Sequence, residues 1–235
     1  MTTFHDGRTF DWRPHHDPHS RSYPIRAVIG DHVKRRPRMW RTGYIRLDQG
    51  REGACVGFGW TGELLGWPAP IKFLDPHLEA REIYRAAQKI DQWPGENYSG
   101  TSVLAGAKTV QRAGYIGSYR WAFNIDDVVD AIITEGPVVV GIPWMDTMYR
   151  TRPSGLVDIT GDKVGGHCVV LTGYTRAILN AERAMGPMDL VRFRNSWGAN
   201  YGNDGSGWIA VWDLETLLDD DGEACVPMDR RTVAA

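Results

Sequence analysis

The spacing of apolar positions divides the chain into a helical first part and a strand-rich second part. Apolar residues recur at helical intervals in three segments after residue 70. The first begins at Asp75-Pro76, which is a typical helix start because an N-cap residue precedes a proline. The sequence therefore predicts helices from Asp75, over about 101–113 and over about 124–136.

An earlier segment, from Cys55 to about Gly66, is predicted to be helical despite three internal glycines, Gly57, Gly59 and Gly62. Each glycine costs about 1 kcal/mol relative to alanine in an exposed helix. A helix that tolerates this cost is expected to be buried, with neighbouring backbone packed closely against its small residues.

Short segments rich in β-branched and aromatic residues follow residue 136 and are separated by Gly, Asn and Asp. They predict strands over 137–144, 167–174, 189–196 and 207–214. The first 47 residues look irregular, with one strand candidate over 25–30. Helices followed by strands indicate an α+β fold.

The bulk composition excludes several classes of protein. The chain has 235 residues, of which 42% are hydrophobic, so it can form one large domain or two joined lobes. Its longest mostly apolar run, 136–145, is too short to span a bilayer. The N-terminus lacks the apolar segment of a secretory signal. We therefore expect a soluble, cytoplasmic protein without membrane contact.

Charge is distributed unevenly along the chain. Residues 1–48 carry a formal charge of +5, and the remainder carries −7, with an acidic cluster at 219–223. Because five Asp interrupt the ten basic residues of this first part, they form a poor phosphate-binding surface. We expect the basic N-terminal arm, residues 1–36, to lie on the acidic body rather than bind nucleic acid.

The three cysteines, Cys55, Cys168 and Cys225, favour a reducing compartment over a disulfide framework. None of them has the C-x-x-C spacing of a metal site. A histidine group lies beside two prolines and is interpreted as a polar loop; it comprises His15, His16 and His19. The sequence therefore predicts no metal and no cofactor.

Three short motifs carry the candidate chemistry. They are 49-QGREGAC-55, 165-GGHCVVLTGY-174 and 193-FRNSWGANYGNDGSGW-208. Alone, each has an ordinary explanation: Cys55 as a packing residue, His167 as a core histidine and Asn195 as a turn residue. A cysteine, a histidine and an asparagine in this order are also the residue types of nucleophilic acyl transfer.

Together the motifs resemble those of the papain-like cysteine peptidases. The family's Gln-Gly-x-x-Gly-x-Cys is reproduced by 49–55, its Gly-His-Ala-Val is similar to 166-GHCV-169, and its Asn-Ser-Trp-Gly matches 195–198. Phe58 also agrees with the family. The segment 100–116 resembles the bacterial and phage-type branch. The resemblance covers about residues 38–214.

This resemblance implies a two-lobed fold with a peptide-binding cleft between the lobes. Residues 37–235 would form the catalytic domain, with a mainly helical lobe over 37–136 and an antiparallel, β-barrel-like lobe over 137–235. Only 48 residues precede Gln49, so we expect no long helical prodomain. We hypothesise that the arm, residues 1–36, partly covers the cleft.

The resemblance also assigns roles to the motif residues. Cys55 would be the nucleophile, His167 the acid and base, Asn195 the residue that orients His167, and Gln49 an oxyanion-hole donor. An isolated thiol has a pKa of about 8.5. A helix N-terminus and a protonated His167 would both lower it, so we expect a thiolate–imidazolium pair. Trp197 would shield the His167–Asn195 bond.

Peptide binding is assigned by resemblance to Gly100, Gly166 and Trp197. The chain departs from the family pattern near the nucleophile, where Val56 replaces a common tryptophan and Glu52 replaces a disulfide cysteine of secreted relatives. Cys168 replaces the usual alanine. Strand alternation should turn it away from the cleft as a small buried residue.

The sequence thus predicts a cysteine endopeptidase, a thiol protease whose partner is a peptide or protein substrate. Related acyl-transfer, amidase or isopeptidase chemistry remains open because the same groups would serve it. A non-catalytic module that kept the fold is a further alternative, although all four catalytic residue types are present. The oligomeric state is not determined by the sequence.

Overall fold

The computed structural model describes residues 8–95, 97–179 and 186–231. Its six α-helices are α1 (Arg26–Ile29), α2 (Cys55–Leu64), α3 (Pro76–Gln88), α4 (Val103–Arg112), α5 (Ile125–Thr134) and α6 (Val211–Asp219). The described strands are β1 (Arg38–Met39), β2 (Ser118–Ala122), β3 (Val138–Met145), β4 (Lys163–Ala177), β5 (Met188–Arg194), β6 (Ser206–Ala210) and β7 (Glu223–Met228). No helix in these ranges is long and apolar enough to cross a membrane.

The strands form one antiparallel sheet in the order β2-β7-β3-β4-β5-β6, and β1 pairs with β4 outside this path. In the described residues the sheet does not close on itself, so the α+β prediction is confirmed but the barrel-like closure is not. The 15-residue strand β4 lies at the centre, between β3 and β5.

The predicted helices α2, α3, α4 and α5 are confirmed, and their caps agree with the sequence signals. The Asp75 carboxylate accepts hydrogen bonds from the backbone N–H groups of His77 and Leu78. Ser102 and Asn124 cap α4 and α5 in the same way. These caps fix where each helix begins because they satisfy N–H groups that lack a partner inside the helix.

Two strand predictions need correction. The segment 25–30 contains the one-turn helix α1, because Ile25 starts the turn and is fully buried while Arg26 reaches the acidic residues of α5. The segment 207–214 is strand only to Ala210 and continues as α6. The short strands β2 and β7 were not predicted. Strand β2 contains the charged residue Arg120, and β7 begins at Glu223, the last residue of an acidic run.

Two hydrophobic cores lie on opposite faces of the sheet. Along β3, Val138 and Val140 face a core that also contains α5 and α6, whereas Val139 faces the core around α2 and α4. The same alternation along β4 places Val169 in the first core and Cys168 in the second. Helix α5 lies within 37–136, the part of the chain expected to form the helical lobe, but it packs against the sheet in the first core.

The glycines of α2 allow the close packing that the sequence indicates. A Cβ atom on Gly57 would lie 2.1 Å from the carbonyl oxygen of Ala80 in α3, and one on Gly59 would lie 2.7 Å from Sγ of Cys168. Side chains at these positions would push α2 away from α3 and the sheet. Cys168 is fully buried, as predicted.

The basic arm is anchored to acidic residues of α5. Arg26 donates to Asp127 and Asp130, and Arg35 bonds Asp126 and Asp130. These ion pairs agree with an arm that lies on its own acidic body. Because Ile25 lies in the first core, this part of the arm is integral to the fold.

Candidate active site

Cys55 is the first residue of α2, where the backbone N–H groups at the helix start point toward the sulfur. Its side chain is 0% exposed. Burial raises the pKa of the thiol to about 11, although the backbone N–H groups of Cys168 and Asp11 act in the opposite direction by bonding to Sγ. Both of these contacts come from outside α2, one from the sheet and one from the arm.

His167 lies on β4, directly before Cys168, whose backbone N–H acts on the thiol of Cys55. Nε2 of the ring lies 2.8 Å from Oδ1 of Asn195. The other ring nitrogen, Nδ1, is buried and has no hydrogen-bond partner in the part of the chain that the structure describes. In this conformation, therefore, no hydrogen bond joins Nδ1 to Sγ of Cys55.

Aromatic rings hold the imidazole of His167 in place. Ring centroids of Trp144 and Trp197 lie 4.7 Å and 4.9 Å from it, and that of Phe10 lies 5.7 Å away. The histidine is 0% exposed. Burial lowers its pKa to about 4, the bond to Asn195 raises it, and the charge of Arg8 lowers it.

In this conformation, the pKa values of Cys55 and His167 shift in the direction opposite to that of the thiolate–imidazolium pair expected from the sequence. Burial shifts both pKa values toward the neutral forms, raising that of Cys55 and lowering that of His167. The physical reason is that the arm excludes water from the cleft, so the charged forms lose their solvation.

Both ends of the Gln49 side-chain amide are hydrogen-bonded. Its Oε1 accepts a hydrogen bond of 2.6 Å from Ser196, and its Nε2 donates to the carbonyl oxygen of Glu52 at 2.9 Å. The same amide nitrogen also lies 3.4 Å from the carbonyl oxygen of Thr9 in the arm. An amide donor from Gln49 thus faces a backbone carbonyl in the cleft, as an oxyanion-hole donor must.

Residues 8–13, which we call the cleft segment, lie along the cleft in an extended conformation. The N–H of Trp12 donates to the carbonyl of Gly166 at 2.9 Å. On the helical side, Thr101 donates to the carbonyl of Asp11 and accepts from the N–H of Arg13 at 3.2 Å and 3.0 Å. The cleft segment pairs in parallel with both Gly166 and Thr101.

Two of the predicted peptide-binding residues contact the cleft segment directly. Gly166 contributes its carbonyl, and Trp197 lies under the guanidinium of Arg8 and beside Phe10. Gly100 has a φ of +90°, and a Cβ there would lie 1.8 Å from the carbonyl oxygen of Asp11, so a glycine is required. The backbone pairing itself runs through the next residue, Thr101.

Trp12 fills a pocket with a carboxylate at its base. The indole Nε1 donates to Oε1 of Glu223 at 2.9 Å, and the N–H of Val103 donates to the same oxygen at 3.2 Å. Gly141 makes room for the indole, since a Cβ there would lie 2.0 Å from Nε1. Glu223 is only 2% exposed.

Sequence reasoning missed Phe10, Trp12, Trp144 and Glu223. Glu223 ends an acidic run in the sequence, but it is the first residue of β7 and is buried against Trp12. Within the histidine group, Nε2 of His16 lies 2.8 Å from Oδ1 of Asp221. No cluster of three His, Cys, Asp or Glu able to hold a metal occurs in the described ranges.

Comparison with known proteins agrees with this geometry. The sequence model described as "Papain family cysteine protease" matches residues 79–215, more than half of the chain. The chain belongs to this family. The match includes His167 and Asn195, while Gln49 and Cys55 precede it. No curated protein matches the chain in sequence.

Solved papain-family structures are similar in fold at low sequence identity. Xylellain, a cysteine protease from Xylella fastidiosa, aligns over 96% of this chain and 97% of its own, with a TM-score of 0.62 and 19% identity. A digestive procathepsin L 3 from the Tenebrio molitor larval midgut aligns over 83% and 71%, with a TM-score of 0.55 and 16% identity. A structure from work on the mite allergens Blo t 1 and Der p 1 aligns over 97% and 82%, with a TM-score of 0.61 and 15% identity. At these identities, the structures establish the papain-like fold of this cysteine protease.

Proposed function

We propose that the chain is a cysteine endopeptidase that cleaves extended peptides through Cys55, His167 and Asn195. The observation that supports this most is the 2.8 Å contact between Nε2 of His167 and Oδ1 of Asn195. It leaves Nδ1 as the nitrogen available to the thiol once the cleft opens. We assign Cys55 as the nucleophile, His167 as the base and Asn195 as the orienting group in this proposal.

In the proposed reaction, His167 takes the proton of the Cys55 thiol, and Sγ then attacks the carbonyl carbon of a peptide and forms a C–S bond while the carbonyl π electrons move to oxygen. His167 gives its proton to the nitrogen of the departing amine, and the C–N bond breaks. Neutral His167 then removes a proton from water, the resulting hydroxide attacks the acyl carbon, and the C–S bond breaks. Asn195 keeps the ring oriented throughout both steps.

Gln49 and the start of α2 stabilise the negative charge that develops on the carbonyl oxygen. The amide of Gln49 already faces a backbone carbonyl of the cleft segment, that of Thr9. Its orientation is fixed by Ser196 and by the Glu52 carbonyl, so little reorganisation is needed during the reaction. The backbone N–H of Cys55 is the second donor in this proposal.

The cleft segment indicates how an extended peptide is held. The carbonyl of Gly166 and both backbone groups of Thr101 are used by the segment and are free for a substrate once it leaves. Such main-chain pairing gives affinity without selecting particular side chains. We propose that peptide substrates use the same backbone groups.

In the structure described here, the cleft segment occupies this site. The backbone N–H of Asp11 acts on Sγ of Cys55. Attack requires an aligned carbonyl carbon. We therefore propose that the arm holds the enzyme in a latent state and that activity requires displacement of the cleft segment.

A peptide library tests the proposed reaction. Full-length protein and a Trp12→Ala variant, which loosens the cleft segment, are each compared with a Cys55→Ala version. Cys225→Ala is the matched control, because Cys225 is equally buried but lies on β7. We expect cleavage to depend on Cys55 and not on Cys225. Cleavage that persists in Cys55→Ala would refute the mechanism, and turnover of only isopeptide or side-chain amide substrates would favour the alternative acyl chemistry.

A further inference from the structure

The contact between the arm and Glu223 has a consequence for regulation. We propose that Glu223 makes closure of the cleft proton-dependent, so that the arm closes tightly in acid and opens as the pH rises. The inference rests on the proposed function only insofar as the cleft is the active site. It concerns a carboxyl group that takes no part in the proposed reaction.

The geometry of Glu223 favours a neutral carboxyl group when the cleft is closed. Oε1 receives the indole N–H of Trp12 and the N–H of Val103, whereas Oε2 is buried and has no hydrogen-bond partner among the described residues. A carboxylate with one oxygen uncompensated in an apolar pocket is costly, and a proton removes most of that cost.

The groups around Glu223 compensate its charge only partly. The arm contributes the charge of Arg21 and the backbone N–H of His15, while the two thiols that face it are Cys168 on β4 and Cys225 on β7. From β3, the neighbouring residue is Gly141, which carries no charge. Burial raises the pKa of Glu223 to about 7, and the Trp12 and Val103 hydrogen bonds, Arg21 and His15 all lower it.

Displacement of the arm from the cleft removes the burial that raises the pKa of Glu223. Without Trp12 the pocket admits water, and the pKa of Glu223 should fall toward its ordinary value of 4.5. The closed state therefore binds the proton more tightly than the open state. The proton-dependent stabilisation of the closed state is complete below pH 4.5 and is lost as the pH rises through about 7. The closing constant, which is the ratio of closed to open protein, therefore decreases about 70-fold between pH 5 and pH 8.

Other titrating groups do not cancel this dependence. Burial lowers the pKa of His15, which favours closure at higher pH, but His15 is only partly buried. For Cys55 and His167, opening moves one proton from the sulfur to the ring in the proposed mechanism. The pair therefore exchanges no proton with solvent near neutral pH.

Hydrogen exchange of the full-length protein tests the proposal without requiring activity. The amides of Trp12 and Arg13 are bonded across the cleft, and their protection reports closure once intrinsic exchange rates are corrected. The matched control is the amide of Ile25, which belongs to the arm but is bonded to Trp121 in the core. In wild type, protection of the cleft amides should fall about 70-fold from pH 5 to pH 8, while that of Ile25 stays constant.

A Glu223→Gln variant isolates the responsible group. Glutamine has the same shape, can accept from Trp12 and carries no charge, so its cleft amides should stay protected at pH 8. Unchanged protection in wild type across this range, or an equally steep fall in Glu223→Gln, would overturn the proposal. If the variant does not fold, carboxyl-carbon NMR of the wild type decides: a Glu223 midpoint near 7 supports the proposal, and an ordinary midpoint overturns it.

Peptide hydrolysis by the same samples separates the two proposals. If closure of the arm depends on pH but the protein cleaves no peptide bond, the role of Glu223 in closure stands and the proposed function is contradicted. Peptide cleavage with a pH-independent arm would do the reverse.

Discussion

Replacing Trp12 with alanine should open the cleft and increase peptide hydrolysis. Trp12 is the most deeply buried side chain of the cleft segment, and its indole bonds Glu223 at 2.9 Å. The substitution removes this side chain from the pocket but leaves Cys55, His167 and the backbone of the cleft unchanged. It therefore acts on access to the site and not on the catalytic groups.

The expected size follows from the burial of Trp12. Replacing a buried tryptophan by alanine in a core costs about 3–5 kcal/mol. If about 3 kcal/mol of this is lost from docking of the cleft segment, the closing constant falls roughly a hundredfold, since 1.4 kcal/mol is a factor of ten. Where the closed state dominates, kcat/KM should rise by up to the same factor.

The assay is hydrolysis of a fluorogenic peptide at constant pH, with thermal unfolding of each variant as a check on the fold. Trp212→Ala is the matched control, because Trp212 is 48% exposed on α6 and remote from the cleft segment. We expect its kcat/KM to equal that of wild type. If Trp12→Ala remains folded and loses hydrogen-exchange protection at Arg13 without any gain in kcat/KM, the cleft segment does not limit activity and the latency argument is wrong.

Further predictions concern the catalytic groups, each measured in the Trp12→Ala background so that the cleft is open. Asn195→Ala should lower kcat roughly 10- to 100-fold with little change in KM, because it removes a buried hydrogen bond worth about 1–3 kcal/mol; an unchanged kcat would refute the orienting role. Gln49→Ala should lower kcat about 10²- to 10³-fold through the loss of an oxyanion donor, and a loss confined to KM would contradict this. In the closed wild type, the rate of iodoacetamide labelling of Cys55 should be low at pH 7 and should rise with pH toward the thiol pKa of about 11. In Trp12→Ala, labelling should already be fast at pH 6. The same pH profile in both proteins would show that the arm does not control the reactivity of the thiol.

The motif residues could be predicted from the sequence because their order along the chain is itself informative. Gln49 and Cys55 are separated by one loop that leads into α2, so their proximity is local. The cap at Asp75 and the apolar periodicity of α5 are local as well. Helix starts and amphipathic faces depend on neighbours within a few residues, and the sequence determines these directly.

Other features depend on contacts between distant parts of the chain. The sequence alone did not indicate that Glu223 would be buried beneath Trp12, 211 residues earlier. The turn at Ile25 and the helix that begins after Ala210 were mistaken for strands, because short apolar segments are compatible with either structure until packing selects one.

The amino-acid sequence by itself determined the family and the α+β class and predicted the candidate catalytic groups, since these follow from residue types and their spacing. The tertiary structure decided the burial of Cys55 and His167 and the occupation of the cleft. Both depend on the exclusion of water by residues 8–13, which lie far from these groups along the chain but against them in the fold. A pKa is set by solvation and by charges in space, and these are fixed only when the arm packs against the cleft.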